Sequence, residues 1–226
     1  MQPPNSKTHR KAHSRVGVIG DIHAETSVLA WALPLLQQQR VEYILATGDV
    51  ADGPRQARGV MQACRMLQDA GVIMVLGNHD RWMLDNVHRD FPDATALDEI
   101  DRPTRDYLQG LPASLEIETP LGLMLFGHGL GDNDMASLYP HDHGPALSNN
   151  ATLQHLIALG RYKIVLSGHT HRRMVRTISG ITFINAGAIK ITREPCCVLL
   201  DFEEHRVQFY DYGPDGGTGH GPVFEL

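Results

Sequence analysis

The feature that most constrains the fold is an apolar run that ends in glycine and a polar residue, repeated three times at nearly equal intervals. The polar residues are Asp21 after VGVIG, Asp49 after YILATG and Asn78 after VIMVLG, 28 and then 29 positions apart. The segments 26–38 and 55–69 between the runs have helical periodicity. A strand, a helix and a second parallel strand occupy about 30 residues, so the spacing predicts consecutive βαβ units. The three polar residues then lie at the carboxyl edge of one sheet, where α/β proteins bind ligands.

The second half of the chain has a different pattern, with short apolar runs joined by short connections. Ser179 and Gly180 separate the runs MVRTI and ITFIN, and such a pair forms a tight hairpin turn. Short connections favour antiparallel strands, which predicts a second sheet. We also predict a helix over 103–110 and a long irregular loop over 129–146. Each sheet needs cover on its outer face, so the predicted fold class is an α/β sandwich with helices outside.

The length of 226 residues suits one folded domain, which we place at 15–212. Residues 1–14 are polar and basic, and we predict a disordered arm there. Residues 213–226 are rich in glycine and proline, which predicts a loose C-terminal tail.

Composition excludes several classes of protein. With 26 acidic and 20 basic residues the formal net charge is -6, so we do not expect a nucleic-acid partner. The three cysteines, of which Cys196 and Cys197 are adjacent, cannot form a disulfide framework, and this fits a reducing compartment. No apolar run reaches the roughly 18 residues of a membrane span, and the first residues lack a signal-peptide core. We therefore expect no membrane partner and a cytoplasmic location.

Five short turns, each beginning with glycine after an apolar run, contain side chains that bind metal ions. They read Gly20-Asp21-Ile22-His23, Gly48-Asp49, Gly77-Asn78-His79-Asp80, Gly127-His128-Gly129 and Gly168-His169-Thr170-His171. Each turn alone is weak evidence, because an aspartate there could cap the next helix and a histidine could be a hydrogen-bonded core residue. If none of the five turns bound a cation, they would gather carboxylates and imidazoles at one sheet edge with nothing to compensate the buried charge. The set therefore indicates a site for divalent cations.

In this order the five turns resemble the signature blocks of the calcineurin-like metallophosphoesterase superfamily, in its compact prokaryotic phosphoesterase type. The resemblance implies a four-layered α/β/β/α sandwich with two mixed sheets and a dinuclear metal site at the carboxyl edge of the strands. The expected cofactors are two divalent transition-metal ions, with manganese, iron, zinc and cobalt all suited to nitrogen and oxygen ligands. The implied ligands are Asp21, His23 and His171 for one ion, Asn78, His128 and His169 for the other, and Asp49 bridging both.

The same resemblance implies the roles of two further residues. His79 would lie near the leaving group as the general acid, and Asp52 would orient it. A hydroxide bridging the two ions would attack the phosphorus of a small phosphodiester or phosphomonoester. His79 as a further metal ligand is the alternative interpretation. Arg81, which follows the third turn, is a candidate for binding the substrate phosphate, although a surface cation at a helix start explains it equally well.

The sequence also departs from one branch of the superfamily and leaves other functions open. Gly53 stands where the protein phosphatases carry a phosphate-binding arginine, which disfavours a phosphoprotein substrate. The first alternative is a dinucleoside polyphosphate or other nucleotide hydrolase, in which Trp82 and Tyr139 would stack on a base. A non-catalytic binding scaffold and a nuclease that uses the basic arm are further alternatives. The loops 81–113 and 129–147 are expected to determine specificity, and the sequence determines neither the natural substrate nor the oligomeric state.

Overall fold

The computed structural model describes residues 14–226, which form eleven strands and six α-helices. In chain order these are β1 (Arg15–Ile19), α1 (Thr26–Gln38), β2 (Tyr43–Ala46), α2 (Gln56–Asp69), β3 (Ile73–Met74), α3 (Asn78–Leu84), α4 (Arg102–Gln109), β4 (Ser114–Thr119), β5 (Gly122–Gly127), α5 (Pro145–Ser148), α6 (Ala151–Leu159), β6 (Ile164–Ser167), β7 (Met174–Ile178), β8 (Ile181–Asn185), β9 (Cys196–Asp201), β10 (Arg206–Tyr212) and β11 (Thr218–Glu225). A single 3-10 turn, Leu97–Glu99, precedes α4.

The strands form two mixed sheets. The first has six strands in the order β11-β10-β9-β1-β2-β3, and the second has five in the order β4-β5-β6-β8-β7. In the first sheet β1, β2 and β3 are parallel, while β9, β10 and β11 add antiparallel neighbours. The predicted βαβ units are therefore confirmed. In the second sheet β5, β6 and β8 are parallel, and the predicted hairpin at Ser179 and Gly180 joins the antiparallel pair β7 and β8.

Three layers of apolar side chains hold the two sheets and the helices together. The middle layer lies between the sheets and joins Val18 and Leu45 of the first to Phe126 and Leu166 of the second. On the outer face of the first sheet, α1, α2 and α4 cover a larger core. On the outer face of the second sheet, α6 contributes Leu153 and Leu156 to a third core. Helix, sheet, sheet and helix form the predicted α/β/β/α sandwich.

The helix ends follow ordinary capping chemistry. At the start of α4, Asp101 accepts a hydrogen bond of 2.9 Å from the backbone N–H of Thr104. The helix begins at Arg102, one residue before the start of the predicted helix 103–110. Asn150 caps α6 in the same way, and Gly160 ends it in the left-handed conformation. Helix α6 was not predicted, since its run ATLQHLIAL is short and has no clear polar face.

The prediction of a loose C-terminal tail over 213–226 is wrong. A turn closed by the hydrogen bond from the N–H of Gly213 to the carbonyl of Gly217 reverses the chain, and β11 then pairs antiparallel with β10. Phe224 packs edge-on against Phe209, with ring centroids 5.9 Å apart. Gly219 and Gly221 lie in this edge strand. Glycine weakens a strand because it has no side chain to pack, and here pairing with β10 orders the segment.

The predicted disordered arm over 1–14 falls outside the described residues except for Ser14. The backbone N–H of Ser14 donates to the Glu42 carboxylate, and its carbonyl accepts from Phe202. Within residues 14–226 no helix combines the length and the apolar character that a bilayer span requires.

Candidate metal centre

All five turns meet at one edge of the sandwich. Five residues at this edge have φ angles that residues other than glycine rarely adopt. The φ angles of His23, Asp49, Asp52, His169 and His171 are 46°, 49°, 65°, 66° and 56°. Left-handed conformations of this kind are uncommon for residues other than glycine, and each costs about 1 kcal/mol or more. The surrounding fold therefore holds these side chains in place at an energetic cost, as is typical of functional sites.

Four of the predicted ligands form a tight cluster at this edge. Asp21, His23, Asp49 and His171 each offer a ligand atom, and these atoms all lie within 4.8 Å of one another. The Nε2 atoms of His23 and His171 are only 3.0 Å apart. Two imidazole lone pairs at this distance repel unless a proton or a cation lies between them. A cation satisfies both nitrogens at once.

The other three predicted ligands lie next to this cluster. The Asn78 Oδ1 atom is 2.9 Å from His128 Nε2 and 2.8 Å from His169 Nδ1. His128 Nε2 is also 3.3 Å from Asp49 Oδ2, so Asp49 faces both groups of ligands. The structure thus brings together all seven predicted ligands, and Asp49 lies between the two groups, where a bridging ligand would be needed.

Hydrogen bonds to backbone carbonyls fix which nitrogen of His23 and of His128 points into the cluster. His23 Nδ1 lies 3.1 and 2.9 Å from the carbonyl oxygens of Ala51 and Asp52, and His128 Nδ1 lies 2.7 Å from that of Thr47. A carbonyl only accepts, so in each ring Nδ1 carries the proton and donates it. Nε2 then faces the other ligands, as in metal-binding histidines whose second nitrogen is held by the protein.

Two buried carboxylate oxygens have no hydrogen-bond partner among the described residues, namely Asp21 Oδ2 and Asp49 Oδ2. His171 Nε2 lies 3.2 Å from the first and His128 Nε2 lies 3.3 Å from the second, but without hydrogen-bond geometry. A buried carboxylate without compensation is costly. The nitrogen and oxygen donors on both sides of these atoms fit divalent transition-metal ions.

The pKa values of the buried groups reflect the same crowding of charge. Burial opposes ionisation of Asp49, but the positive charge of His128 outweighs it, and the pKa of Asp49 falls below its usual value. Burial also opposes protonation of His128, yet the charges of Asp49 and Asp21 raise its pKa to about 10. For His23 burial dominates and lowers the pKa to about 4. Without a cation, His128 therefore carries the compensating charge.

Two glycines of the turns leave no room for a side chain. A Cβ on Gly77 would overlap the carboxylate and the backbone nitrogen of Asp49. A Cβ on Gly53 would overlap the carbonyl of His23. An arginine therefore cannot occupy position 53 unless the backbone at His23 moves.

His79 lies beside the cluster and contacts Asp52. Its Nδ1 atom is 2.7 Å from Asp52 Oδ2, its backbone N–H donates to Asp49 Oδ1 over 2.8 Å, and its ring centroid is 5.0 Å from that of His23. Burial opposes protonation, but the hydrogen bond to Asp52 and the charge of Asp49 outweigh it and raise the pKa of His79. The cluster of mutually close ligand atoms does not include His79. Its ring is therefore arranged to hold a proton.

The third turn differs from the prediction that a strand runs up to Asn78. Strand β3 ends at Met74, and Asn78 begins α3, so Asn78 and His79 lie in the first turn of a helix. Asp80 in the same turn accepts from the backbone N–H groups of Ala51 and Gly77. This buried carboxylate thereby joins the second and third turns.

Two arginines near the site have partners that the sequence did not indicate. Arg81 forms a bidentate pair with Asp134, with distances of 2.7 and 3.0 Å, which connects α3 to the loop 129–147. Phosphate binding by Arg81 would require it to release Asp134. Arg89 forms a bidentate pair with Asp52 and was missed, since it belongs to no motif and lies in a polar stretch without periodicity.

Comparison with known proteins agrees with this geometry. A family model described as the calcineurin-like phosphoesterase superfamily domain matches residues 15–205. The chain therefore belongs to the calcineurin-like phosphoesterase superfamily, whose members are metal-dependent, and the family predicted from the sequence is confirmed. A comparison with curated proteins finds no match.

Several solved structures share the fold. A metallophosphoesterase from Sphaerobacter thermophilus superposes with a TM-score of 0.65 at 20% identity, covering 89% of this chain and 88% of that one. An archaeal phosphodiesterase has a TM-score of 0.55 at 15% identity, with 87% and 99% covered. Vacuolar protein sorting 29 from Cryptosporidium parvum has a TM-score of 0.55 at 19% identity, with 95% and 100% covered. At these identities the likeness shows the fold alone.

Proposed function

We propose that the protein is a two-metal phosphoesterase that hydrolyses a small phosphodiester or phosphomonoester, with His79 as general acid. Its ligands would be Asp21, His23 and His171 for one ion and Asn78, His128 and His169 for the other, with Asp49 shared. Bound divalent ions supply Lewis acidity toward the phosphoryl oxygens and activate water. Manganese, iron, zinc and cobalt all suit this donor set.

The observation that carries the proposal is the His79–Asp52 pair at the rim of the ligand cluster. Loss of an alkoxide or phenolate from phosphorus is slow unless the departing oxygen receives a proton. Asp52 holds Nδ1 of His79, so Nε2 is the nitrogen left to donate. The raised pKa of His79 keeps more of the imidazole protonated near neutral pH than an unperturbed histidine would.

The shape of the surface supports a small substrate. A cavity of about 480 Å³ lies beside His171 and is lined by Tyr139, His141 and Arg172. Arg176 donates 2.8 Å hydrogen bonds to the carbonyls of Tyr139 and Asp142, which hold this loop in place. A cavity of this size suits one nucleotide-sized group.

One observation favours the nucleotide hydrolase as a second candidate. The Trp82 ring lies 4.9 Å from that of His79 and is only partly buried. The base of a nucleotide whose phosphate lies in the site could therefore stack on the Trp82 indole. If this is right, dinucleotides are hydrolysed faster than p-nitrophenyl phosphate, and Trp82→Ala raises KM for dinucleotides alone.

The test compares three esters, using protein that has been stripped of metal and reloaded with manganese. Bis-p-nitrophenyl phosphate and p-nitrophenyl phosphate separate diesterase from monoesterase activity, and diphenyl phosphate is a diester whose leaving group needs a proton. We expect His79→Ala to lower kcat for diphenyl phosphate by about a hundredfold or more. His155→Ala is the matched control, because His155 is exposed on α6. Absence of turnover for every ester by the metal-loaded protein would instead support a binding scaffold.

A further inference from the structure

Asp52 has a second strong partner besides His79. Its side chain is fully buried, and each carboxylate oxygen accepts two hydrogen bonds. The Oδ1 atom accepts from Arg89 Nη1 and from the backbone N–H of Thr95, both over 2.8 Å. The Oδ2 atom accepts from Arg89 Nη2 over 2.9 Å and from His79 Nδ1 over 2.7 Å. Arg89 therefore binds both oxygens of the carboxylate that holds His79.

This geometry fixes the plane of the Asp52 carboxylate. A guanidinium bound in a bidentate manner is coplanar with its carboxylate, whereas a single hydrogen bond leaves the carboxylate free to rotate. Rotation would move Oδ2, and with it the orientation of the His79 ring. The positive charge of Arg89 also compensates the buried carboxylate, which would otherwise be costly.

Arg89 is itself held in position. Its Nε atom donates to the carbonyl of Val87 over 2.9 Å, and its guanidinium carbon lies 5.3 Å from the centre of the Phe91 ring. Phe91 in turn lies edge-on to His79, with centroids 5.7 Å apart. The side chain of Arg89 is only 17% exposed, and both Nη atoms bind Asp52, so this arginine is not available to a substrate phosphate.

We propose that Arg89 is a positioning residue that acts through Asp52 to aim His79 at the leaving group. The proposal rests on the proposed function, in which His79 donates the proton. Removal of Arg89 should then slow reactions that require the proton and spare those that do not. A purely structural role of Arg89 would slow both kinds of reaction alike.

The experiment measures kcat and KM of Arg89→Gln for two diesters that differ in their leaving group. Phenolate, lost from diphenyl phosphate, is the poorer leaving group, and p-nitrophenolate, lost from bis-p-nitrophenyl phosphate, departs with little need for a proton. Arg105→Gln is the matched control. Arg105 and Arg89 line a common cavity next to Thr95 and Leu97, but Arg105 is not among the partners of Asp52. Manganese content and melting temperature are measured for each variant.

General acid catalysis contributes about a hundredfold to ten-thousandfold to a rate. Because Arg89→Gln misaligns His79 without removing it, we expect kcat for diphenyl phosphate to fall by a part of this factor, about tenfold or more. For bis-p-nitrophenyl phosphate kcat should change by less than about threefold, and KM should stay the same for both esters. Arg105→Gln should match the wild type. In Arg89→Gly, guanidinium chloride at millimolar concentration should restore diphenyl phosphate hydrolysis alone.

Three outcomes would overturn the proposal. Equal loss of kcat for the two diesters, with manganese content retained, would make Arg89 a structural residue. Wild-type rates for both diesters would show that Thr95 and His79 suffice to hold Asp52. A manganese-loaded wild type that hydrolyses neither these diesters nor the monoester p-nitrophenyl phosphate would refute the proposed function and, with it, this role of Arg89. If Arg89→Gln does not fold, Arg89→Lys keeps the charge but not the bidentate contact, and the same selective loss is expected there.

Discussion

Removal of metal should lower the stability of this protein by an amount that the site allows us to work out. Asp21 and Asp49 are fully buried and repel one another, and one oxygen of each has no hydrogen-bond partner in residues 14–226. A cation between them removes the repulsion and satisfies these oxygens. The unfolded chain has no such arrangement of these side chains, so we expect metal to bind the native state preferentially.

The magnitude follows from the linkage between binding and folding. At a free metal concentration of 100 times Kd, one site stabilises the native state by about 2.7 kcal/mol. For a domain of this size, 1 kcal/mol corresponds to about 2–4 °C in Tm, so one occupied site should raise Tm by about 5–11 °C. A second occupied site should raise Tm further, and the shift should grow with metal concentration.

The measurement is a calorimetric or fluorescence melting curve of chelator-stripped protein, titrated with Mn²⁺, Zn²⁺ or Co²⁺. Asp49→Asn should abolish most of the shift, because Asp49 faces both groups of ligands. Asp98→Asn, at an exposed carboxylate in the 3-10 turn, should shift like the wild type. Identical melting curves with and without each metal at millimolar concentration would refute the idea that this cluster is a metal centre.

Three further predictions concern the framework of the site. Gly77→Ala should lower the free energy of unfolding in urea by about 1–3 kcal/mol, because the added Cβ would overlap Asp49. Gly110→Ala is the control and should be neutral or stabilising, because a Cβ there has only ordinary contacts. Asp80→Ala should lower the free energy of unfolding by about 2 kcal/mol or more, since the N–H groups of Ala51 and Gly77 lose their buried acceptor, and an unchanged urea midpoint would contradict this. A thiol reagent at pH 8 should label no cysteine of the native protein but three after unfolding, because burial raises the pKa of each thiol. These are Cys64, Cys196 and Cys197.

Much of the fold could be predicted because its determinants are local in sequence. Apolar runs of strand length, helical periodicity between them and glycine at each turn predicted β1, α1, β2 and α2 to within two residues at each end. The recurrence of Asp21, Asp49 and Asn78 at one phase of the repeating unit placed them at one sheet edge. Parallel pairing of the strands then brings them together.

Other elements could not be predicted because their order comes from the tertiary structure. Strand β11 contains two glycines and a proline and is exposed along much of its length, and its sequence lacks the regular apolar alternation that predicts a strand. It is a strand because β10 offers an edge with free hydrogen-bonding groups. The third strand is likewise shorter than its apolar run, since the chain turns at Val75 to begin α3 at Asn78.

The sequence by itself determined which side chains are the candidate ligands and that they are grouped in five turns, because a turn after a buried strand is marked by residues that are neighbours in sequence. Only the tertiary structure decided how charged side chains are paired around them. Arg89 meets Asp52 across 37 positions, and Arg81 meets Asp134 across 53. An ion pair of this kind depends on distance, burial and geometry after folding, and an arginine in a polar loop has the same local sequence whether it faces solvent or a buried carboxylate.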